Sequence, residues 1–82
     1  MTPEMVRENV RNIHPFYAPE LIAARRVLGM SQREAAAAMG IHRRTIEGWE
    51  LGLTSPRGHR RQLVAAFVAE AQAFEERWEG QA

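Results

Sequence analysis

Residues 28–56 read LGMSQREAAAAMGIHRRTIEGWELGLTSP, and the punctuation of this stretch sets the architecture. Ser31 with Glu34 three residues later is the signature of a capping box. In it the serine hydroxyl accepts from the glutamate's backbone amide and the glutamate carboxylate accepts from the serine's. The Ala-rich segment running on to Met39 favours helix, because alanine loses no side-chain entropy there, and Gly40 supplies a residue suited to a left-handed helix end. His42 to Leu51 gives the next predicted helix, closed by Gly52. Within it Ile46, Trp49 and Glu50, at i, i+3 and i+4, define an inward face and leave Arg44, Glu47, Gly48 and Leu51 on the other. Trp49 is therefore expected in the core and not as an exposed stacking surface.

The segment before this stretch contains two further helical patterns. Thr2, Pro3 and Glu4 read as an N-cap, a first-turn proline and a first-turn acid, and Val6, Val10 and Ile13 then recur at helical spacing, predicting a short amphipathic helix to about Asn12. Pro15 and Pro19 bracket Phe16 and Tyr17 in a connector, after which a helix starts near Pro19 and Glu20 and runs to Leu28, stopping at Gly29. On the other side Ser55 and Pro56 mark a turn. Leu63, Phe67, Ala71, Phe74 and Trp78 then trace one stripe of a long last helix, whose Ala-rich run over 64–73 is compatible with a break. No segment alternates with period two, so the expectation is an all-α, compact bundle of about five helices. On this reading residues 1–18 are expected to form an N-terminal helix and connector, 19–68 the central unit and 69–82 a helical extension of the same domain.

At 82 residues there is room for one small core, and the absence of cysteine excludes a disulfide framework or a thiolate metal site. Association with a second chain is a natural way to enlarge such a core. Apolar runs are broken by Arg or Glu well before the roughly 20 residues needed to cross a bilayer, and no apolar signal core opens the chain, so a cytoplasmic location and no membrane partner are expected. His14, His42 and His59 lie far apart without ligand partners at helical spacing, so no metal is expected. With no Asp, Lys or Cys the commonest nucleophile and base sets are missing, and Glu75-Glu76 reads as a solvated face; neither catalysis nor a cofactor is expected. The net charge of +1 conceals an uneven distribution, with eight Arg against three Glu from Arg25 to Arg61 and four Glu against one Arg from Glu70 to Glu79. That pattern suggests a phosphate-facing body and a tail held away from phosphate.

Two short helices joined by a tight turn at Gly40 are the elements of a helix-turn-helix, whose second helix enters the DNA major groove. The whole string over 28–56 resembles the DNA-binding domain of the Cro and phage-repressor family, often called the XRE family, with the likeness extending over residues 21–67. The resemblance implies a lambda-repressor-like fold in which Gln32, at the start of the first motif helix, anchors a backbone phosphate. It implies a small residue at Ala36 where the motif helices cross, a turn at Gly40 with a buried hydrophobe at Ile41, and an internal ion pair between Arg25 and Glu50. Arg43 and Arg44 fall in the first turn of the recognition helix, where an arginine can give two bonds to the O6 and N7 of guanine, with Glu47 as a further base contact. Arg33, Arg57, Arg60 and Arg61 are candidate phosphate contacts, the last three at the start of the final helix.

The sequence departs from the family pattern at Gly48 and at the run Arg57, Gly58, His59, Arg60 and Arg61 that opens the last helix, and His42 is an unusual cap. His42 stands where the family usually has Ser or Thr as a cap, and is expected to touch a phosphate or base edge instead of capping well. Gly48 falls where a base-contacting side chain is often found, which suggests close approach of the helix to the sugar-phosphate backbone. The resemblance implies a transcriptional regulator acting on double-stranded DNA, in the leading reading a homodimeric repressor on a palindromic operator. The alternative is an antitoxin that binds a toxin protein through the acidic, aromatic segment from Glu70 to Trp78 and represses its own operon.

Overall fold

A computed structural model of the chain describes residues 16–81, and among them four helices follow one another without a strand: α1 (Ala18–Val27), α2 (Gln32–Met39), α3 (Arg43–Glu50) and α4 (His59–Gln81). That is one fewer than the number expected, because the N-terminal helix read to about Asn12 lies outside the described residues. Pro19 and Glu20 occupy the first turn of α1 and Arg25 and Arg26 its last, the polarity that suits the helix dipole. The capping box at α2 is complete: Ser31 Oγ accepts from the Glu34 amide at 3.1 Å and Glu34 Oε1 accepts from the Ser31 amide at 3.0 Å. These bonds lower the pKa of the Glu34 carboxyl, the backbone amide of Ser31 contributing most.

The first three helices end in the same way. After α2 the Ile41 amide reaches back to the Ala36 carbonyl at 2.9 Å and the Gly40 amide to Ala37 at 3.1 Å, with Gly40 at φ 69°. This is a Schellman closure, and it requires a backbone conformation that a Cβ disfavours. The Met30 and Leu53 amides close α1 and α3 onto Arg25 and Gly48 in the same six-to-one pattern, around Gly29 and Gly52.

α1 packs mainly against α4 and α2 mainly against α3, with α1 also touching α3. Their shared core consists of Leu21 and Ala24 from α1, Ala35, Ala36 and Met39 from α2, Ile46 and Trp49 from α3, and Val64, Phe67 and Ala71 from α4. Ala36 is buried at the crossing, as its small size permits, and the Phe16 ring lies 6.3 Å from Trp49, centroid to centroid, at a tilt of 57°. Helix α4 is unbroken, its Ala-rich run included. Its apolar stripe, however, leaves the core after Ala71: Phe74 is 44% and Trp78 68% exposed.

Ile46 is completely buried in this small core. Replacing it with alanine is expected to cost about 3 kcal/mol, a large part of the stability of so short a chain, read as a lowered urea midpoint with an unchanged slope.

Candidate nucleic-acid interface

Helices α2 and α3 are joined by the turn Gly40-Ile41-His42, and α3 turns two unlike faces to its surroundings. Ile46 and Trp49 fasten it to the core, while His42, Arg43, Arg44 and Leu51 are exposed and Glu47 is half-buried. Arg43 lies 3.8 Å from Glu47, an exposed ion pair one helical turn long, and such pairs contribute only a few tenths of a kcal/mol. The pair restrains the Arg43 guanidinium without committing its donors. Arg44, beside it, has no ion-pair partner within 4.0 Å among the described residues.

Beneath this face lies a polar network. Arg25 on α1 donates from Nε and Nη2 to the two carboxylate oxygens of Glu50 on α3, both at 2.8 Å, and from Nη1 to the Met30 carbonyl at 3.3 Å. The two side chains are 17% and 6% exposed, so the fork is mostly removed from water and is correspondingly strong. Gln32 Nε2 donates to the same carboxylate at 3.1 Å, which adds the start of α2 to the linkage. The hydrogen bond from Arg25, opposed by burial and helped by Gln32, lowers the Glu50 pKa below its ordinary value. That of Arg25 is raised in turn, chiefly by its bond to Glu50.

The helix-turn-helix family model matches residues 21–67, more than half of the chain. The chain belongs to the Cro and phage-repressor helix-turn-helix family. Neither a curated protein nor a solved structure matches it. Family membership makes it a DNA-binding transcription regulator, with α2 and α3 as the motif and α3 in the recognition position. No described helix is long and apolar enough to cross a membrane.

His42 and Gly48 each have a place in the fold of the chain itself, and for His42 the expectation of poor capping is overturned. His42 does cap α3: its Nδ1 accepts from the Arg44 amide at 3.1 Å, so the imidazole performs the task usually given to a hydroxyl. Gly48 lies against the chain that follows the helix. A Cβ there would come within 3.0 Å of Thr54 Oγ1, and the Gly48 carbonyl accepts from the Leu53 and Thr54 amides. No periodic signal marks a glycine as facing its own downstream loop, and none marks the bond between Gln32 and Glu50, eighteen residues apart.

The remaining candidates fall in two places. Gln32 and Arg33 open α2, Gln32 half-buried and Arg33 exposed, and the Gln32 amide keeps a second N–H beyond the one given to Glu50. Arg57 and Arg60 are exposed around the start of α4, and Arg61 is half-buried. Arg57 and Arg61 line a shallow cleft with Phe16, Ser55, Pro56 and Gly58, in which Pro56 is buried although the sequence marks it only as a turn residue.

Removing the positive partner from the network should be costly. Arg25→Met leaves the Glu50 carboxylate largely desolvated with Gln32 as its remaining donor, and is expected to lose about 3 kcal/mol in chemical denaturation. Glu50 also sets an acid dependence. Its folded pKa is depressed, so its contribution is complete above the ordinary carboxylate value of 4.5 and disappears as pH falls through the lower folded value. Glu50→Gln should therefore be less stable than the native chain at neutral pH and lose less on acidification below that value, as followed by circular dichroism across an acid titration.

Proposed function

We propose that the chain is a repressor that binds a palindromic operator as a symmetric dimer. Two copies of α3 enter successive major grooves about 34 Å apart, the spacing of half-sites one helical turn from each other. The observation that carries this reading is the division of α3 itself, with Ile46 and Trp49 buried and His42, Arg43 and Arg44 exposed at its N-terminal end. Recognition helices present base-reading side chains from that end, and arginine is suited to the paired acceptors of guanine. Arg43, Arg44 and Glu47 read bases, and His42 touches a base edge or a phosphate. Gln32, Arg33, Arg57, Arg60 and Arg61 hold phosphates, supplying affinity without sequence choice. This activity is binding and not catalysis, and it calls on no cofactor.

The dimer reading draws support from the end of α4, where Phe74 and Trp78 continue an apolar stripe past the last core residue, Ala71. The same segment supports a second reading, an antitoxin with a basic toxin partner, because the exposed Glu70, Glu75 and Glu76 outnumber the exposed Arg77 beside that stripe.

Fluorescence anisotropy against the DNA upstream of the protein's own gene and against random duplex, at several salt concentrations, tests the central claim. Preferential binding that weakens steeply with salt is expected, and Arg44→Ala should shrink the preference by about 1 to 3 kcal/mol. Equal binding of both duplexes by the native protein would refute sequence reading. In sedimentation at micromolar concentration the native chain should run as two copies and Trp78→Ala should shift toward one; a native chain that stays a monomer even on DNA would refute the dimer.

A further inference from the structure

The cap on α3 constrains the other nitrogen of the same ring. His42 Nδ1 accepts the Arg44 amide at 3.1 Å, and a ring nitrogen accepts only through a lone pair. In this arrangement Nδ1 carries no proton, so the neutral ring holds its proton on Nε2. Nε2 lies across the ring from the nitrogen that grips the backbone, and His42 is exposed, as are Arg43 and Arg44 next to it. A serine or threonine in this place would use its single oxygen for the cap. The imidazole has a second polar atom, and capping fixes both its orientation and its character as a donor.

We propose that His42 is a fixed-tautomer donor to DNA, its Nε2–H given to a hydrogen-bond acceptor on the duplex while Nδ1 holds the first turn of the recognition helix. The inference rests on the DNA-binding reading above and deepens it. The cap restrains the ring before DNA arrives, so less rotamer freedom is lost on binding. Because the donor is neutral, it displaces no counterion and contributes to affinity without adding to the salt dependence. Both a phosphate oxygen and an acceptor on a base edge satisfy this chemistry.

His42→Ser separates the two roles, since serine keeps a cap and removes the ring donor. At mildly alkaline pH the variant should match the native protein in thermal midpoint and bind operator DNA about fivefold more weakly, the loss of one neutral hydrogen bond. The slope of log affinity against log salt should stay unchanged. An equal loss on operator and random duplex assigns the acceptor to phosphate, and a loss confined to the operator assigns it to a base edge. Undiminished binding by His42→Ser overturns the proposal. So does a salt slope reduced by about one, which marks a charged phosphate contact. Imidazole nitrogen-15 shifts of the DNA-free protein provide an independent reading: the Nε2–H form is expected, and an Nδ1–H form overturns the proposal whatever the binding data. If the native protein binds no duplex at all, the DNA reading itself fails, an outcome distinct from a native protein that binds while His42→Ser binds equally well.

Discussion

The carboxylate of Glu50 is the point at which three helices are tied together. It sits near the end of the recognition helix, takes a two-pronged bond from Arg25 on α1 and a third from Gln32 on α2. Removing a carboxylate from water is expensive unless its oxygens are all engaged, and here the fork geometry and the added amide supply that engagement. Among the described residues no buried side-chain polar atom lacks a partner. The consequence reaches beyond stability. A planar guanidinium and a carboxylate meet in one relative orientation, so the pair fixes the position of α3 along its own axis as well as its distance from α1. The bond to Gln32 extends that restraint to the start of α2.

Around this tie the rest of the molecule is built from short elements with firm ends. Helices of eight residues are marginal by themselves, because nucleation is costly and few internal bonds reward it. α2 and α3 persist because each is closed by a left-handed glycine and each contributes a face to the common core. In α3 the burial of Ile46 and Trp49 has a further effect: it determines which side chains are left outside, and those are Arg43, Arg44 and the capping His42. Packing and recognition are two sides of one amphipathic helix.

Helix α4 serves a different purpose at each end. Val64, Phe67 and Ala71 pack its first half into the core. Beyond Ala71 the stripe continues with Phe74 and Trp78 exposed, flanked by carboxylates, while the cations gather at the other end of the helix and on α2 and α3. The charge separation leaves the motif end of the molecule electropositive and the far end of α4 acidic.

The order of residues is enough to place the helix ends, the motif and the two faces of α3, because these depend on residues close together in the chain. Ser31 with Glu34, the glycines after α1, α2 and α3, and the spacing of Ile46, Trp49 and Glu50 act over three to six residues, within reach of a local pattern. Likeness to the family supplied the longer-range link between Arg25 and Glu50. Packing in three dimensions settles what depends on where separate segments meet: that Gln32 shares the Glu50 carboxylate, that Gly48 faces Thr54, that Pro56 is buried, and that the stripe on α4 leaves the core at Ala71. His42 belongs with these, although its bond spans two residues, because imidazole is not a usual cap and its ring geometry had to be seen. Periodicity reports which face of an element is apolar; it does not report how much of that face a neighbour is long enough to cover.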